Sequence, residues 1–251
     1  MNSVPQPITW QIASVAGIRP ETASVKTFAF SLPAWQPHQA GQHYDLRLTA
    51  ADGYSAQRSY SIASAPSKAG IVELSIERLP DGEVSSFMHD TVVVGDRIEL
   101  RGPIGGFFVW SAAIGGPILL IAGGSGVVPL MAMLRDRAAS GSRQPAVLLY
   151  SSRSREEATY FDELAQLAGT DGRSGLTVIH TLTRSQPPGW TGYARRIDAE
   201  MLREVLQRTD PNAQVFICGP TPLVESAAGS LVELGVAVPR IRTERFGPTG
   251  N

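Results

Sequence analysis

Cysteine is nearly absent: the 251 residues contain one, Cys218. That excludes a disulfide within the chain and any iron–sulfur cluster or zinc site held by cysteines. Neither sign of charge is in excess, since 22 basic and 23 acidic residues leave a formal net charge of -1. Nucleic-acid binding through bulk positive charge is therefore disfavoured. No apolar run is long enough to span a bilayer, and the first residues lack a basic segment followed by an apolar core. The four histidines (His38, His43, His89, His180) are scattered without metal-ligand spacing, so no metal site is expected. With 43% hydrophobic and 18% charged residues, the chain reads as a soluble, cytoplasmic globular protein. Its length suits two modest domains or one large one.

The pattern of what is present changes part-way along. Ile8–Val15, Val25–Leu32, His43–Thr49, Gln57–Ala63, Ile71–Leu79 and Arg97–Arg101 alternate and are broken by Gly and Pro, which predicts an all-β antiparallel barrel. Within it, Asp81–Asp90 reads as a turn running into a short helix capped near Ser85. Its first turn offers backbone N–H groups to an anion, or merely plugs the barrel. After the small residues Ser111–Pro117 the period changes, and the boundary is placed there, with residues 1–112 and 113–251 as two domains. Strands are then expected at Ile118–Ala122, Ala146–Ser152, Leu176–Thr183, Gln214–Cys218 and Ile241–Phe246. Helices are expected at Val127–Ala139, Glu156–Ala168, Asp198–Gln207 and Leu223–Leu234. Arg135 and Arg137 fall on the polar side of the first helix, Asp198 is a candidate N-cap, and Gly141 and Gly235 mark helix ends. This alternation predicts an α/β domain with a parallel sheet and a ligand at the carboxyl ends of its strands.

Chemistry-bearing residues gather at particular places. In Arg58-Ser59-Tyr60-Ser61, strand alternation puts Arg58 and Tyr60 on one face and Ser59 and Ser61 on the other. A donor fork, a flat ring and hydroxyls suit a ligand with a diphosphate and a heterocycle. Alone, they fit an ordinary barrel strand with a surface arginine and a half-buried tyrosine better. In the second half, Gly123-Gly124-Ser125-Gly126 leads into a helix, with Pro129 where a third fingerprint glycine would stand. Ser152-Arg153, Thr183-Arg184 and Cys218-Gly219-Pro220 follow at successive strand ends, which favours an anionic nucleotide.

With these motifs in order, the chain resembles the ferredoxin–NADP reductase superfamily of flavoproteins over nearly its whole length. Arg58–Ser61 and Gly82-Glu83-Val84-Ser85 match its flavin motifs, followed by Gly102–Phe107. Gly123–Pro129 matches its nucleotide turn, Cys218–Pro220 its nicotinamide-side motif, and Glu244-Arg245-Phe246 its C-terminal carboxylate and aromatic. The resemblance implies a flavin-binding barrel followed by a nucleotide-binding domain, with electrons passing from NAD(P)H to FAD and onward. It implies that Arg58 holds the flavin diphosphate, Tyr60 packs on the ring system and Ser61 lies near its reactive nitrogen. Ser59, Ser75, Ile76, Glu77, Gly82, Val84, Ser85 and Ser86 complete the flavin side. Gly123, Gly124, Ser125, Gly126, Gly219 and Pro220 fall on the nucleotide side. Cys218, Glu244 and Phe246 join Ser61 as candidate catalytic residues, with Cys218 positioning the nicotinamide rather than acting as a thiolate.

For Arg58, Tyr60 and Ser61 to reach one flavin, their strand must twist or end near Ser61, or the ligand must wrap its edge. Thr183 and Arg184, assisted by Ser152, Arg153 and Tyr193, match the position of an extra phosphate, so NADPH is favoured over NADH. The implied acceptor is a separate ferredoxin, flavodoxin or oxygenase component, docking on Arg97, Arg101, Arg195 and Arg196. Alternatives are a small acceptor such as free flavin or quinone, or a flavin-bearing relay subunit. Gly247–Asn251 follow Phe246 and leave it as either a movable lid or a fixed wall.

Overall fold

The computed structural model describes residues 8–246 apart from Lys68; Gly247–Asn251, which bear on the lid, lie outside them. The first half forms β1 (Trp10–Pro20), β2 (Val25–Ser31), β3 (His43–Thr49), β4 (Ser55–Ser61), β5 (Ile71–Glu77), helix α1 (Glu83–Asp90) and β6 (Arg97–Ile104). These strands make one antiparallel sheet in the order β4-β3-β6-β1-β2-β5. Its two outer strands meet just past the end of β4, where Ile62 bridges Leu74 and the Ala63 N–H donates to the Glu73 carbonyl at 2.8 Å. The sheet thereby curls into a barrel around Phe28, Phe30, Tyr44, Leu46, Ile62, Leu74 and Leu100. Closure also removes an open edge.

Three local expectations are corrected. β1 does not stop at Val15 but runs to Pro20, because a bulge between Val15 and Gly17 absorbs the break. β4 begins at Ser55 and ends at Ser61 rather than Ala63. Helix α1 is not capped at Ser85: Gly82 is its N-cap. The Ser85 hydroxyl instead ties the preceding turn, donating to the Gly82 carbonyl at 3.1 Å and accepting from the Leu79 N–H at 3.1 Å.

The second half alternates β7 (Ile118–Gly123), α2 (Val127–Ala139), β8 (Ala146–Ser152), α3 (Phe161–Ala168), β9 (Leu176–Leu182), α4 (Ala199–Leu206), β10 (Gln214–Pro220), α5 (Thr221–Glu233) and β11 (Ile241–Phe246). All five strands are parallel, in the order β11-β10-β7-β8-β9. Met201, Leu202 and Val205 of α4, with Val224, Ala227 and Leu231 of α5, cover one face over Leu119, Ile121, Leu149 and Ile217. The other face, with Leu120, Leu148, Tyr150, Phe216 and Cys218, is covered by α2 and α3.

Helix α2 departs from a simple amphipathic pattern. Val127 to Leu134 are all buried, because the barrel residues Ala40, Ala63, Phe108 and Trp110 join the same cluster. A helix that is apolar all round belongs in an interior, and α2 is packed between sheet and barrel. Its expected polar side is correspondingly not a solvent face. Arg137 is buried and donates to the Gln144 and Ser174 carbonyls, while Arg135 points at the barrel.

Helix α3 begins at Phe161 rather than Glu156, since Tyr160 adopts the left-handed backbone (φ 62) just before it. Asp198 does cap α4, accepting from the Met201 N–H at 2.8 Å.

Candidate functional site

In the parallel sheet, β7 leads outward through β8 to β9, and the chain then returns to place β10 on the other side of β7. The carboxyl ends of β7 and β10 therefore flank a topological switch point, where open α/β sheets bind ligands. Two loops meet there at backbone contact distance. A Cβ on Gly126 would lie 2.2 Å from the Cys218 carbonyl oxygen, and one on Gly219 would lie 3.1 Å from the Gly123 backbone. Glycine is required because anything larger would push the two strand ends apart. Helix α2 starts immediately after this turn, so its first backbone N–H groups border the crevice. Ser125 is half-buried within the turn.

Period-two alternation then sets which side chains face the barrel side. Phe216 and Cys218 on β10 belong to the α2-side cluster, and Arg242, Glu244 and Phe246 are their partners and neighbour on β11. Cys218 is fully buried, opposite Ala122 on one side and Glu244 on the other. Burial, reinforced by the Glu244 carboxylate, pushes the Cys218 thiol well above its ordinary range. A thiolate nucleophile is thereby disfavoured.

Burial also raises the Glu244 carboxyl to about 7, and its Oε2 is buried without a hydrogen-bond partner among the described residues. Phe246 is half-buried against the cluster. Arg242 lies over the rings of Phe216 (5.6 Å) and Phe107 (5.9 Å) and donates to the Val109 carbonyl at 2.8 Å. It ties β11 to the segment following β6.

On the barrel, β4 stops at Ser61, one of the geometries under which Arg58, Tyr60 and Ser61 can address a single ligand. Arg58 is exposed, and its guanidinium contacts the neighbouring Gln57 carbonyl at 2.6 Å. Tyr60 is half-buried against the barrel core, which pushes its hydroxyl up to about 12. Ser61 is buried, and its Oγ also lacks a partner among the described residues. Ala63, two residues on, belongs to the same buried cluster as Cys218 and the first turns of α2. The end of β4 and the end of β10 thus both border the buried cluster packed around α2.

Other expected residues are placed differently. Ser59 donates to Asp45 at 2.6 Å, and Asp45 is also held by Arg101 at 2.6 Å. Ser75 is buried and bonded to Thr27 and to the Tyr160 hydroxyl. Ile76 lies in the barrel core with its carbonyl bonded to His89, and Glu77 is half-exposed at the strand end. Val84 is core, and the Ser85 and Ser86 hydroxyls are both turned to the 79–82 turn. Only backbone groups at the start of α1 remain for an anion.

At the nucleotide-side strand ends, Thr183 donates to the Ser152 carbonyl at 3.2 Å, and the Arg184 N–H to the Arg153 carbonyl at 2.9 Å. Arg184 is exposed, Arg153 pairs with Glu157 at 3.4 Å, and the Tyr193 hydroxyl is bonded to Glu204. Arg97 and Arg101 lie on β6, whereas Arg195 and Arg196 follow β9 at the far edge of the other sheet. Arg101 is paired with Asp45, and Arg195 with Asp198 and Glu200. Two of the four arginines are thus neutralised by carboxylates. Arg135, Tyr160 and Arg242 at the junction were not legible as site residues, because no local motif marks a contact between halves.

The residues fit a flavin and a pyridine nucleotide. Among the described residues two buried polar atoms, on Ser61 and Glu244, are unpartnered, an exposed arginine stands along β4, and a glycine cradle closes the switch point. Among the described residues no group of His, Cys, Asp or Glu is placed to hold a metal, and no helix is long and apolar enough to cross a membrane.

Comparison with known proteins agrees. Residues 14–109 match the oxidoreductase FAD-binding domain and residues 120–229 the oxidoreductase NAD-binding domain. The chain is 33% identical over 239 residues to a glycine betaine monooxygenase reductase subunit of Pseudomonas aeruginosa, covering 91% of this chain and 62% of that protein. It is 30% identical over 203 residues to NADH-cytochrome b5 reductase 1 of Aspergillus terreus, covering 78% of this chain and 67% of that one. The solved FAD/NAD-binding domain of a nitric oxide dioxygenase from Vibrio cholerae superposes with a TM-score of 0.83 at 27% identity, covering 94% and 98% of the two chains. The chain spans between 57% and 62% of the length of the propane and glycine betaine monooxygenase reductases it matches.

Proposed function

The chain belongs to the ferredoxin–NADP reductase superfamily of flavoproteins, and on that premise we propose that it passes electrons from NADPH through FAD to an oxygenase component, ferredoxin or flavodoxin. The observation that carries this reading is the one buried cluster bordered by the end of β4, where Ser61 is unpartnered among the described residues, and by the end of β10, with Cys218 opposite Glu244.

When bound, FAD supplies a centre that takes a hydride and releases electrons singly. The chain's own residues prepare that transfer. Arg58 offers a guanidinium fork to the diphosphate, with backbone N–H groups of Gly82–Ser85 beside it. Tyr60 offers its flat face, and Ser61 Oγ donates a hydrogen bond to the ring edge. Gly123–Gly126 and the start of α2 receive the nucleotide phosphates. Cys218, neutral and buried, sets the wall on which the nicotinamide lies. Glu244 holds a proton at its carboxyl below about pH 7. Phe246 closes the flavin face. The alignment of the two rings governs the rate.

NADPH is favoured because Arg184 is exposed beside Thr183 and has no acidic partner among the described residues. An oxygenase acceptor is supported by the relatives that are the reductase component of a propane 2-monooxygenase and the reductase subunit of a glycine betaine monooxygenase. The cytoplasm is proposed from the single cysteine, and no helix among the described residues is long and apolar enough to cross a membrane. A small acceptor such as free flavin or quinone is the second reading, and the pairing of Arg101 with Asp45 and of Arg195 with Asp198 and Glu200 favours it.

The test is the anaerobic absorption spectrum of FAD-loaded protein before and after each nucleotide. Bleaching of the flavin by NADPH is expected. A protein that takes up no FAD, or whose flavin neither nucleotide reduces, overturns the reading. Oxygenase or ferredoxin reduction no faster than dye reduction moves the assignment to the small acceptor.

A further inference from the structure

Helix α2 carries the glycine turn at its start and, eight residues further on, Arg135. The separation is about 12 Å along the axis at 1.5 Å per residue. Arg135 reaches across the junction: Nη1 donates to the Ala63 carbonyl at 2.7 Å, two residues beyond Ser61. Nε and Nη2 hold both oxygens of Glu163 at 2.8 and 2.7 Å, and Glu73 of β5 lies 3.6 Å from Nη1. The segment it grips is fixed from the barrel side as well. The Ala63 N–H donates to the Glu73 carbonyl at 2.8 Å, the Ser64 hydroxyl accepts from the Glu73 N–H at 3.1 Å, and the Ser64 carbonyl is 3.2 Å from His38 Nε2.

Beneath the guanidinium, 4.9 Å away, lies the ring of Tyr160. Its left-handed backbone is uncommon for a bulky residue and persists only where the surroundings over-determine it. Here the adjacent Thr159 N–H is held by the Tyr150 hydroxyl at 3.1 Å, and the Tyr160 hydroxyl bonds across the junction to Ser75.

We propose that Arg135, seated on Tyr160, is a positioning residue for hydride transfer. It fixes the end of the flavin-side strand to the helix whose first turn receives the nucleotide, and so sets the spacing of the two rings. The proposal rests on the flavoprotein reading above. A guanidinium fork with both edges engaged is geometrically specific in a way that an ammonium is not. Arg135 uses one of its donors on main chain beside the site, where a displacement is felt at Ser61.

The test is stopped-flow reduction of FAD-loaded Arg135→Lys by NADPH without oxygen. The limiting rate of flavin reduction is expected to fall about ten- to a hundredfold, with half-saturating NADPH unchanged. The long-wavelength band shared by stacked nicotinamide and flavin should be lost. A wild-type limiting rate with that band intact overturns the proposal, and so does a rate loss that only tracks lost FAD. If Arg135→Lys does not fold, Tyr160→Phe decides, with the same split expected and an unchanged rate counting against it. A wild-type protein whose flavin no nucleotide reduces defeats the underlying reading and the proposal together. A wild type that is reduced normally, with variants that match it, defeats the proposal alone.

Discussion

Cys218 and Glu244 stand opposite one another in register on β10 and β11, the thiol fully buried and one carboxyl oxygen buried without a partner among the described residues. Burial raises both groups, and the Glu244 carboxylate adds to the rise of the Cys218 thiol, because a second anion in a poorly solvated place is repelled. The Cys218–Glu244 pair is therefore uncharged below about pH 7 and gains a carboxylate above it.

That transition is measurable. Burial lifts Glu244 from its ordinary 4.5 to about 7, so the folded state keeps a proton that the unfolded chain releases. The stabilising contribution is complete below about 4.5 and is lost as pH rises through about 7. The melting temperature should fall between pH 5 and 8, and fall less in Glu244→Gln. Flavin reduction should slow above pH 7 in the wild type as the carboxylate forms, with the step absent from the variant. An identical pH profile in both proteins would refute this.

Cys218 should resist alkylation. With a thiol that is fully buried and pushed well up, iodoacetamide at pH 8 should label native protein negligibly and unfolded protein completely, since the thiolate is the nucleophile. Mass spectrometry reads the outcome, and rapid labelling of the native state would contradict the burial.

Gly126→Ala should be costly at one methyl. The added Cβ would sit 2.2 Å from the Cys218 carbonyl oxygen, a backbone atom that cannot rotate away. A loss of about 1–3 kcal/mol is expected, read by denaturant unfolding, together with weaker nucleotide binding. Stability equal to wild type would show that the strand ends can separate freely.

Arg58→Ala should separate binding from folding. Arg58 is exposed and touches only a neighbouring carbonyl, so stability should stay within about 0.5 kcal/mol. FAD affinity should fall by about tenfold or more, the size of a lost charge-assisted hydrogen bond. Unchanged FAD affinity by titration would remove Arg58 from the diphosphate site.

Arg184→Glu should lower NADPH efficiency and raise that of NADH, because a carboxylate repels the extra phosphate and accepts ribose hydroxyls. Steady-state kcat/KM for each nucleotide decides, and an unchanged ratio excludes Arg184 from specificity.

Much of the architecture was readable from short-range pattern. The barrel strands announced themselves through alternation, the strands of the parallel sheet through apolar runs and the helices between them through helical spacing, and Asp198 capped its helix as its side chain predicts. The errors fell where local signals compete. Gly17 looked like a stop but is accommodated by a bulge, and Ser85 looked like a cap but serves the turn before it. The run from Glu156 looked helical until the left-handed Tyr160 delayed the start. Arg135 looked like a solvent-facing charge because a helix pattern does not reveal what lies against its polar side.

The sequence by itself determined the two kinds of sheet, the order of the glycine-rich and strand-end motifs, and the limits imposed by a single cysteine. These follow from neighbours along the chain, where periodicity, turn chemistry and residue type act. Only the tertiary structure decided that β4 ends at Ser61, that Cys218 meets Glu244, and that Arg135 grips the Ala63 carbonyl. Those facts depend on strand order and on how α2 is buried between barrel and sheet. Contacts between residues far apart in the chain are chosen by the packing of whole elements, which no local window contains.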